Sequence, residues 1–200
     1  MSGFSILVLA VFAALHAAPV PLDASNDTPA HRRALSLREG PPDPREISAR
    51  EARLLIRTLD YVRSIKPKSP LTFAIVFDPE NKVSSQEAER LAELLDAAPQ
   101  SDKGKLEPLL IPLTNLNQSL KHIQVLYLTH GLKPFYTVIS ERAALYGLLT
   151  LSTDPSCVRA NGCVLSIQTE SGIDILINEK IMKRNRIDFE AAFQFAAQYL

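Results

Sequence analysis

An unbroken apolar run, residues 71–78 (LTFAIVFD), most constrains what this chain can fold into. The run has the length of a β-strand and lacks the alternation of apolar and polar residues that a half-exposed strand shows. Strands of this kind are buried on both faces, which is typical of parallel sheets covered by helices. A second run of the same type, at residues 123–129 (IQVLYLT), indicates that the sheet contains more than one such strand.

Amphipathic helices are predicted around these strands. Ser48 and Glu51 match the capping box that begins many helices, and apolar residues follow at helical spacing. Ser84 and Glu87 repeat the same box before a second apolar stripe. Because strands alternate with helices, the sequence predicts an α/β fold: a mostly parallel, mixed sheet flanked by helices, which is a Rossmann-like three-layer sandwich.

The middle of the chain adds a weaker strand and two helices. Residues 106–113 are predicted to be a strand at or near an edge of the sheet, because Pro108 and Pro112 cannot donate hydrogen bonds to a neighbouring strand. A short helix is predicted around residues 116–121, and a long one at residues 135–146.

The last quarter of the chain predicts a C-terminal β-hairpin and a closing helix. Two short segments alternate apolar and polar residues, and residues 170–172 (ESG) supply the turn between them. Asp188 is placed to cap a helix, because the apolar residues after it keep helical spacing as far as Leu200. The apolar residues of the hairpin are Leu165, Ile167, Ile173, Ile175 and Ile177.

The first 46 residues are predicted to lie outside the folded domain. Residues 4–14 (FSILVLAVFAA) are too short for a membrane span of about 20 residues and are typical of a signal peptide, expected at residues 1–18. Residues 19–46 hold six of the 14 prolines and no apolar periodicity, which predicts a disordered linker. A single α/β domain is then expected at residues 47–200. Asn26 and Asn117 begin glycosylation-type triplets.

Cys157 and Cys163 are the two cysteines of the chain. In an exported protein, two cysteines this close in sequence normally pair, so a disulfide is predicted. Asn161-Gly162 tolerates positive φ and lets the chain turn back between them. A loop this small gains about 2–3 kcal/mol from the bond. A structural staple and a redox-sensitive loop are both open interpretations.

Charge and motifs exclude several functional classes. The 22 basic and 22 acidic residues cancel, which leaves no net field to attract nucleic acid or an anionic membrane surface. The sequence has no phosphate-binding glycine motif, no nucleophile elbow and no H-E-x-x-H zinc motif. Catalytic residues, cofactors and metals are therefore not predicted, and an enzyme ranks last among the functions considered.

Four single residues near strand ends have two interpretations each. His122 and His130 flank the strand at residues 123–129, and together with the cysteines they could form a metal site. The gap between the cysteines is wider than zinc sites use, so both are interpreted as strand-end histidines near the surface. Asp78 and Asp154 follow strands, where open α/β sheets place ligand sites. Carboxylates at such positions ordinarily form turns, and this interpretation is preferred.

Several segments, in this order, are similar to the YfiR-type family of periplasmic proteins. They are the helix at residues 54–65, the strand with its FD ending at residues 71–78, the strand and cysteine loop at residues 148–163, and the Ile-Asn strand ending at residues 175–178. The similarity covers residues 51–200. This chain lacks the Phe-x-Trp-Pro helix ending of many members and has one disulfide where better-known members have two.

The resemblance implies an exported, non-enzymatic regulatory protein. The best-known members restrain a membrane diguanylate cyclase, and thus cyclic-di-GMP signalling, by binding its periplasmic region. The expected partner is therefore a membrane-anchored cyclase or sensor kinase, with a homodimer also open, and the expected contacts include Asn161 and Asn178. The alternative is a periplasmic small-molecule-binding domain related to solute receptors. Its site would be lined by the strand ends near Asp78, Thr129 and Asp154.

Overall fold

The computed structural model describes residues 46–200 apart from residues 68–69, 119 and 171. The predicted signal peptide (1–18) and the predicted linker (19–46), except for its last residue, lie outside the described residues. Asn26 lies outside them as well, and so does Ser119 of the second glycosylation triplet. Within the described part, every helix is too short or too polar to cross a membrane.

Seven β-strands in the described residues form one mixed sheet, in the order β2-β1-β3-β4-β5-β6-β7. Neighbours from β2 through to β5 are parallel, β6 is antiparallel to β5, and β7 is parallel to β6. The predicted mostly parallel, mixed sheet is confirmed, and β2 lies at its edge, as its prolines predicted. The strands are β1 (Leu71–Phe77), β2 (Leu106–Pro112), β3 (Val125–Leu128), β4 (Leu149–Ser152), β5 (Leu165–Gln168), β6 (Asp174–Ile177) and β7 (Gln198–Tyr199).

Helices cover both faces of the sheet, so the predicted three layers are present. Side chains of α1, α2 and α6 pack on one face, and side chains of α3 and α4 pack on the other. The helices of the described part are α1 (Ala49–Asp60), α2 (Lys82–Asp96), α3 (Tyr136–Tyr146), α4 (Pro155–Arg159), α5 (Glu179–Arg184) and α6 (Ala191–Ala196). The short helix predicted around residues 116–121 is two 3₁₀ turns, Leu113–Gln118 and Leu120–His122.

The unbroken apolar run of β1 is explained by its place inside the sheet. Phe73 and Ile75 belong to the hydrophobic core on one face, and Ala74 and Val76 belong to the core on the other. Burying a side chain of the size of Phe or Ile contributes about 1.5–3 kcal/mol. A polar residue at any of these positions would therefore lose packing on one layer or the other.

One predicted helix start is confirmed and the other is wrong. The Ser48–Glu51 capping box is present in both directions, with Ser48 N–H donating to Glu51 Oε2 at 2.8 Å and Glu51 N–H donating to Ser48 Oγ at 3.1 Å. Helix α2 instead begins earlier, because the side chain of Asn81 accepts from the backbone N–H groups of Val83 and Ser84. The side chains of Ser84 and Glu87 are thereby free for other contacts.

The predicted C-terminal hairpin is confirmed, with β5 and β6 paired antiparallel so that Ile167 lies opposite Ile175. Its burial differs from the prediction at two positions. Ile173 lies just before β6 and is 55% exposed, whereas Ser166 is buried because the helices cover both faces of β5.

The closing helix is much shorter than predicted. Helix α6 spans only Ala191–Ala196, with Glu190 rather than Asp188 at its N-cap position. The chain then becomes extended and pairs with β6, where Leu200 N–H donates to Ile177 O at 2.9 Å. Pairing with the open edge of the sheet outweighs the helical spacing of the last residues, which bury only Phe189 and Phe193.

Candidate functional site

The carboxyl ends of β1, β3 and β4 meet at one edge of the sheet. The strand order β2-β1-β3-β4-β5 reverses direction between β1 and β3, and ligands of open α/β sheets bind outside the carboxyl ends at such a point. Asp78, Thr129 and Asp154 each follow one of these strands, so the fold brings all three to the same edge.

A buried carboxylate, that of Glu87 on α2, organises this edge. Its Oε1 accepts from the Tyr127 hydroxyl at 2.6 Å. Its Oε2 accepts from the backbone N–H of His130 at 2.8 Å and lies 2.9 Å from Nδ1 of the same residue. Because Glu87 is only 3% exposed, these partners are what allows its carboxylate to be buried.

His130 is the exposed end of this network. The hydrogen bond that the Glu87 carboxylate accepts from His130 raises the pKa of His130. Burial opposes that rise, and the charges of Glu87, Asp154 and Glu51 add to it. The imidazole is 29% exposed. Within the described residues, no side chain is hydrogen-bonded to Nε2, so this nitrogen is available to a ligand.

Tyr127 extends the network to β4. Burial, followed by the charge of Glu87, raises its pKa well above the ordinary value, so the hydroxyl keeps its proton. The Tyr127 hydroxyl donates its one hydrogen bond to Glu87. The hydroxyl of Thr153, 2.9 Å away, therefore donates to the oxygen of Tyr127. Helix α2, strand β3 and the end of β4 are locked to one another by these hydrogen bonds.

The crevice beyond the carboxyl ends of β1 and β3 is occupied by side chains of the protein itself. Ser84 Oγ accepts from the Asp78 N–H at 2.9 Å and lies 2.6 Å from Thr129 Oγ1. Thr129 Oγ1 in turn donates to the carbonyl of Val76 at 3.0 Å. Thr129 is fully buried, so it lies behind the surface rather than lining a site there.

The two aspartates form turns, as their preferred interpretation predicted. Asp78 Oδ1 accepts from Glu80 N–H at 3.0 Å. Asp154 caps α4 by accepting from Ser156 N–H at 2.8 Å, and it also accepts from the Tyr136 hydroxyl at 3.0 Å. Burial tends to raise the pKa of Asp154, but the Ser156 and Tyr136 donors and nearby His130 outweigh it, so the pKa is lowered.

A small cleft of about 60 Å³ opens beside His130. Its lining is rich in carboxylates, of which Glu51 is occupied by the α1 capping box and Glu46 lies 3.8 Å from Arg90. Glu170, also in the lining, is exposed. The lining residues are Glu46, Ile47, Glu51, His130, Thr153, Pro155, Gln168 and Glu170. Among the described residues, no group of three or more His, Cys, Asp or Glu side chains is placed to hold a metal.

The two cysteines of the predicted disulfide loop lie in the interior of the protein. Cys157 and Cys163 are joined by a disulfide, and both are fully buried. Cys157 lies within α4, so the predicted loop is in large part a helical turn. Gly162 packs so closely on Tyr136 that an added Cβ would lie 2.6 Å from its Cγ.

Of the two predicted partner contacts, only Asn161 is on the surface. It adopts a left-handed φ of 61° at the turn that the sequence predicted. Asn178 is 5% exposed, and its side chain caps α5 and donates to Val158 O at 2.9 Å and to Asn161 Oδ1 at 3.1 Å. The polar atoms of Asn178 are thus used inside the fold, and its role as a partner contact stays a prediction.

Glu87 and Tyr127 were not singled out as site residues by the sequence. A signal was present for Glu87, which lies four residues before Leu91 on the apolar stripe of α2 and so faces inward. A charged residue on a buried stripe requires a partner. The partner itself could not be identified, because His130 is 43 residues away in sequence.

Comparison with known proteins finds structures with a similar fold but does not assign the chain to a family. No protein-family model and no curated protein matches the chain. A conserved domain protein from Vibrio cholerae is similar in structure, with a TM-score of 0.58 and 11% identity over 77% of this chain and 60% of that one.

Two further solved structures are similar in fold, one described as a substrate binding protein and one as a complex with L-Trp. One is the ligand-free, open form of a substrate binding protein with adhesive properties from Clostridium difficile, with a TM-score of 0.52, 14% identity, and coverage of 68% of this chain and 56% of that one. The other is an ABC domain in complex with L-Trp from Streptococcus pneumonia, with a TM-score of 0.54, 10% identity, and coverage of 76% and 59%. The match thus spans less than two thirds of each neighbour. At such identities the likeness is one of fold: this chain has the α/β architecture of these proteins.

Proposed function

We propose that the protein is an extracytoplasmic binding protein that holds a small, amino-bearing polar molecule at the carboxyl edge of its sheet. One observation carries the proposal: the buried carboxylate of Glu87 fixes His130 at the rim of a cleft on that edge. A buried carboxylate with an imidazole partner adds little net stability compared with apolar packing. Its presence at a strand-end cleft therefore favours a functional role.

The lining of the cleft favours the ligand class. His130 Nε2 offers a hydrogen bond, while Glu46, Glu51 and Glu170 bring negative charge to the lining of the same cleft. A ligand with an acceptor next to a positively charged amino group satisfies both. An amino acid has this character, and the streptococcal neighbour is described as a complex with L-Trp.

The size of the cleft implies that this chain provides one wall of the site. About 60 Å³ holds one functional group, whereas whole-ligand sites in proteins measure about 300–1,000 Å³. The matched neighbours are longer, since this chain covers 56–60% of each of them. We infer that the rest of the ligand is covered by a second surface.

The disulfide supports a location outside the cytoplasm, because such bonds persist where thiols are oxidised. The proposed role is binding rather than catalysis. The hydroxyl groups of the described network, those of Tyr127 and Thr153, are bonded to Glu87 and to each other rather than to His130.

A thermal-shift screen of amino acids, amines, sugars and carboxylic acids tests the proposal. At 100 times its Kd, a ligand stabilises a protein by about 2.7 kcal/mol, which raises Tm by about 5–10 °C for a chain of this size. We expect amino-bearing compounds to give the shift. Calorimetry on the best compound should then show weaker binding by His130→Gln, with His122→Gln as the matched control.

A surface variant guards against loss of folding. Glu170→Gln removes an exposed charge from the cleft and should weaken the amine ligand, while Glu89→Gln on the exposed side of α2 should not. Equal affinity of the Glu170→Gln and Glu89→Gln variants, or no stabilisation by any amino-bearing compound, would sink the proposal.

A second candidate function is the regulatory one that the YfiR-type resemblance implies. The observation that favours it is the exposed, rigid turn at Asn161, whose carbonyl accepts from Ser140 Oγ at 2.9 Å and whose side chain accepts from Asn178. A rigid exposed turn loses little entropy when it docks on a partner. The partner would be a membrane-anchored cyclase or sensor kinase.

Pull-down from membranes of the source cell tests this candidate. The bait should capture a protein that mass spectrometry identifies as a cyclase or sensor kinase, and Asn161→Asp should reduce the capture. This variant keeps the acceptor for Asn178 and adds only a charge. Asn115→Asp, on an exposed 3₁₀ turn, is the matched control. Recovery of neither class of protein counts against the regulatory role.

A further inference from the structure

A second concave surface lies away from the carboxyl-edge cleft. It is a groove of about 450 Å³ between helix α1, the β5–β6 hairpin and helix α6. Its walls include Leu54 from α1, Tyr61 directly after that helix, Ile167 and Ile175 from the hairpin, and Phe193 from α6. The volume falls within the range of small-molecule sites in proteins, about 300–1,000 Å³.

The groove is preformed, because its two helical walls are fixed to each other. The rings of Tyr61 and Phe193 stack with centroids 5.5 Å apart, and Phe193 stacks on buried Phe189 at 5.1 Å. Backbone hydrogen bonds join the same segments, with Glu190 N–H donating to Tyr61 O at 2.9 Å. A ligand would therefore meet the groove without having to order its walls first.

Apolar side chains around the groove remain in contact with solvent. Ile173 lines the groove and is 55% exposed, and Tyr61 lines it and is 41% exposed. Contiguous exposed apolar surface in a folded protein marks a binding surface more often than chance. The occupant must therefore bring an apolar body.

The charge at the groove is positive. Arg57 is the one charged residue in the lining, and among the described residues it makes no salt bridge. Arg50 and Arg53 lie on the same exposed side of α1, at the spacing i, i+3, i+7 with Arg57. The guanidinium fork of arginine matches a carboxylate with two parallel hydrogen bonds. The polar end of the occupant should therefore be an anion.

We infer that this groove is a binding site for a small amphiphile with an aliphatic body and a carboxylate end, of the medium-chain fatty acid class. The apolar walls hold the body, and Arg57 binds the carboxylate. The inference is independent of the proposed function, because the groove shares no lining residue with the cleft beside His130.

Calorimetry with the full chain and a series of octanoate, decanoate and dodecanoate, each below its micelle concentration, tests the site. Each buried methylene should tighten Kd by roughly fourfold until the groove is filled. Decyltrimethylammonium, with the same body and the opposite charge, should not bind at these concentrations. The inference is overturned if decanoate does not bind at a concentration of about 1 mM, or if the cationic amphiphile binds equally well.

Variants locate the site. Arg57→Gln should weaken decanoate binding about tenfold or more, since a charge-assisted hydrogen bond is lost. Arg142→Gln, at an exposed position of α3 that does not line the groove, should leave Kd unchanged. Ile173→Ser should also weaken binding, whereas Leu145→Ser, at a site on α3 that is 67% exposed, should not. Both serine variants change exposed residues and so preserve the fold.

Light scattering tests whether the groove is occupied by a second copy of the chain instead of a small amphiphile. A ligand-free protein of twice the monomer mass that becomes monomeric in the Ile173→Ser variant would place the partner copy on the groove and overturn the inference. A monomeric protein that binds decanoate in an Arg57-dependent manner supports it.

Discussion

The Glu87–His130 pair shows how one buried charge determines the behaviour of a residue far away in sequence. Glu87 belongs to α2 and His130 follows β3. The carboxylate of Glu87 nevertheless forms hydrogen bonds with both the backbone N–H and the side-chain Nδ1 of His130. The pKa of His130 is therefore raised from its ordinary value of 6.5, mainly by its hydrogen bond to the Glu87 carboxylate. A single pair thus couples the protonation state at the rim of the cleft to the packing of α2 on the sheet.

This pair predicts a pH dependence of stability. Because the folded-state pKa of His130 lies above the unfolded value, the stabilisation is complete below pH 6.5 and is lost as pH rises through the folded pKa. Urea unfolding from pH 5.5 to 9 should show that the unfolding free energy falls over this window. The fall should disappear in His130→Gln and persist in His122→Gln. A fall of equal size in both variants would assign the effect to other groups.

Asp154 predicts an effect of the opposite sign. Hydrogen bonds from Ser156 and Tyr136 overcome the effect of burial and lower its pKa, so its contribution is present above pH 3.8 and is lost as pH falls through the folded value. Asp154→Ala also removes the N-cap of α4 and should cost about 1–2 kcal/mol at pH 7. Asp154→Asn, which can still cap, should cost less. Urea unfolding measures both, and equal losses would show that the cap is not the important contact.

Among the helices and strands, the sequence correctly predicted those whose apolar or proline pattern reflects their place in the sheet. The apolar runs of β1 and β3 required helices on both faces, and the two prolines of β2 required an edge. The closing helix was mispredicted because its helical spacing competes with pairing to β6. No local pattern reports an open strand edge that lies 22 residues away, from Leu176 to Gln198. The capping box at Ser84 failed because Asn81, three residues earlier, is also a strong cap.

The candidate site was predictable in position but not in composition. Strand ends at Asp78, Thr129 and Asp154 do meet at one edge, as parallel strands require. The residues that organise that edge depend on contacts between α2, β3 and β4, which are set by the packing of the helices on the sheet. Glu87 was thus visible as a charge on an apolar stripe, while its partners His130 and Tyr127 became evident only in the folded structure.

The burial of the Cys157–Cys163 disulfide predicts that this bond is reduced slowly. Both sulfurs are buried, and the turn between them is also held by Gly162 N–H donating to Cys157 O at 2.7 Å. A reductant should therefore reach the bond only when the region unfolds, and the rate of reduction by dithiothreitol should level off at the opening rate. Alkylation and mass measurement follow the reaction. A rate that grows in proportion to dithiothreitol throughout would instead support an accessible, redox-sensitive loop.

Removal of the bond should have a modest cost, because the loop it closes is short. The double variant Cys157→Ala, Cys163→Ala should lose about 2 kcal/mol of unfolding free energy and keep its fold. Unchanged amide protection at Asn161 and Asn178 would show that hydrogen bonds, rather than the disulfide, hold the exposed turn.

At the scale of the whole molecule, one sheet separates two hydrophobic layers that share every central strand. Phe73 and Ile75 of β1 face one layer, while Ala74 and Val76 face the other, so neither layer can unfold without disrupting the strands of both. We therefore expect a single cooperative urea transition for the domain. Two separate transitions would show that the layers are independent.

Within that single transition, substitutions in opposite layers should add. Ile56 on α1 and Ile139 on α3 are buried in different layers, and Ile→Val at each should cost about 1 kcal/mol. Because the sheet lies between them and they share no partner, the double variant should equal the sum within about 0.5 kcal/mol. Phe189→Leu and Phe193→Leu, whose rings stack at 5.1 Å, form the contrasting pair and should couple. Coupling between Ile56 and Ile139 as strong as that of the aromatic pair would mean that the sheet deforms to relay packing changes from one layer to the other.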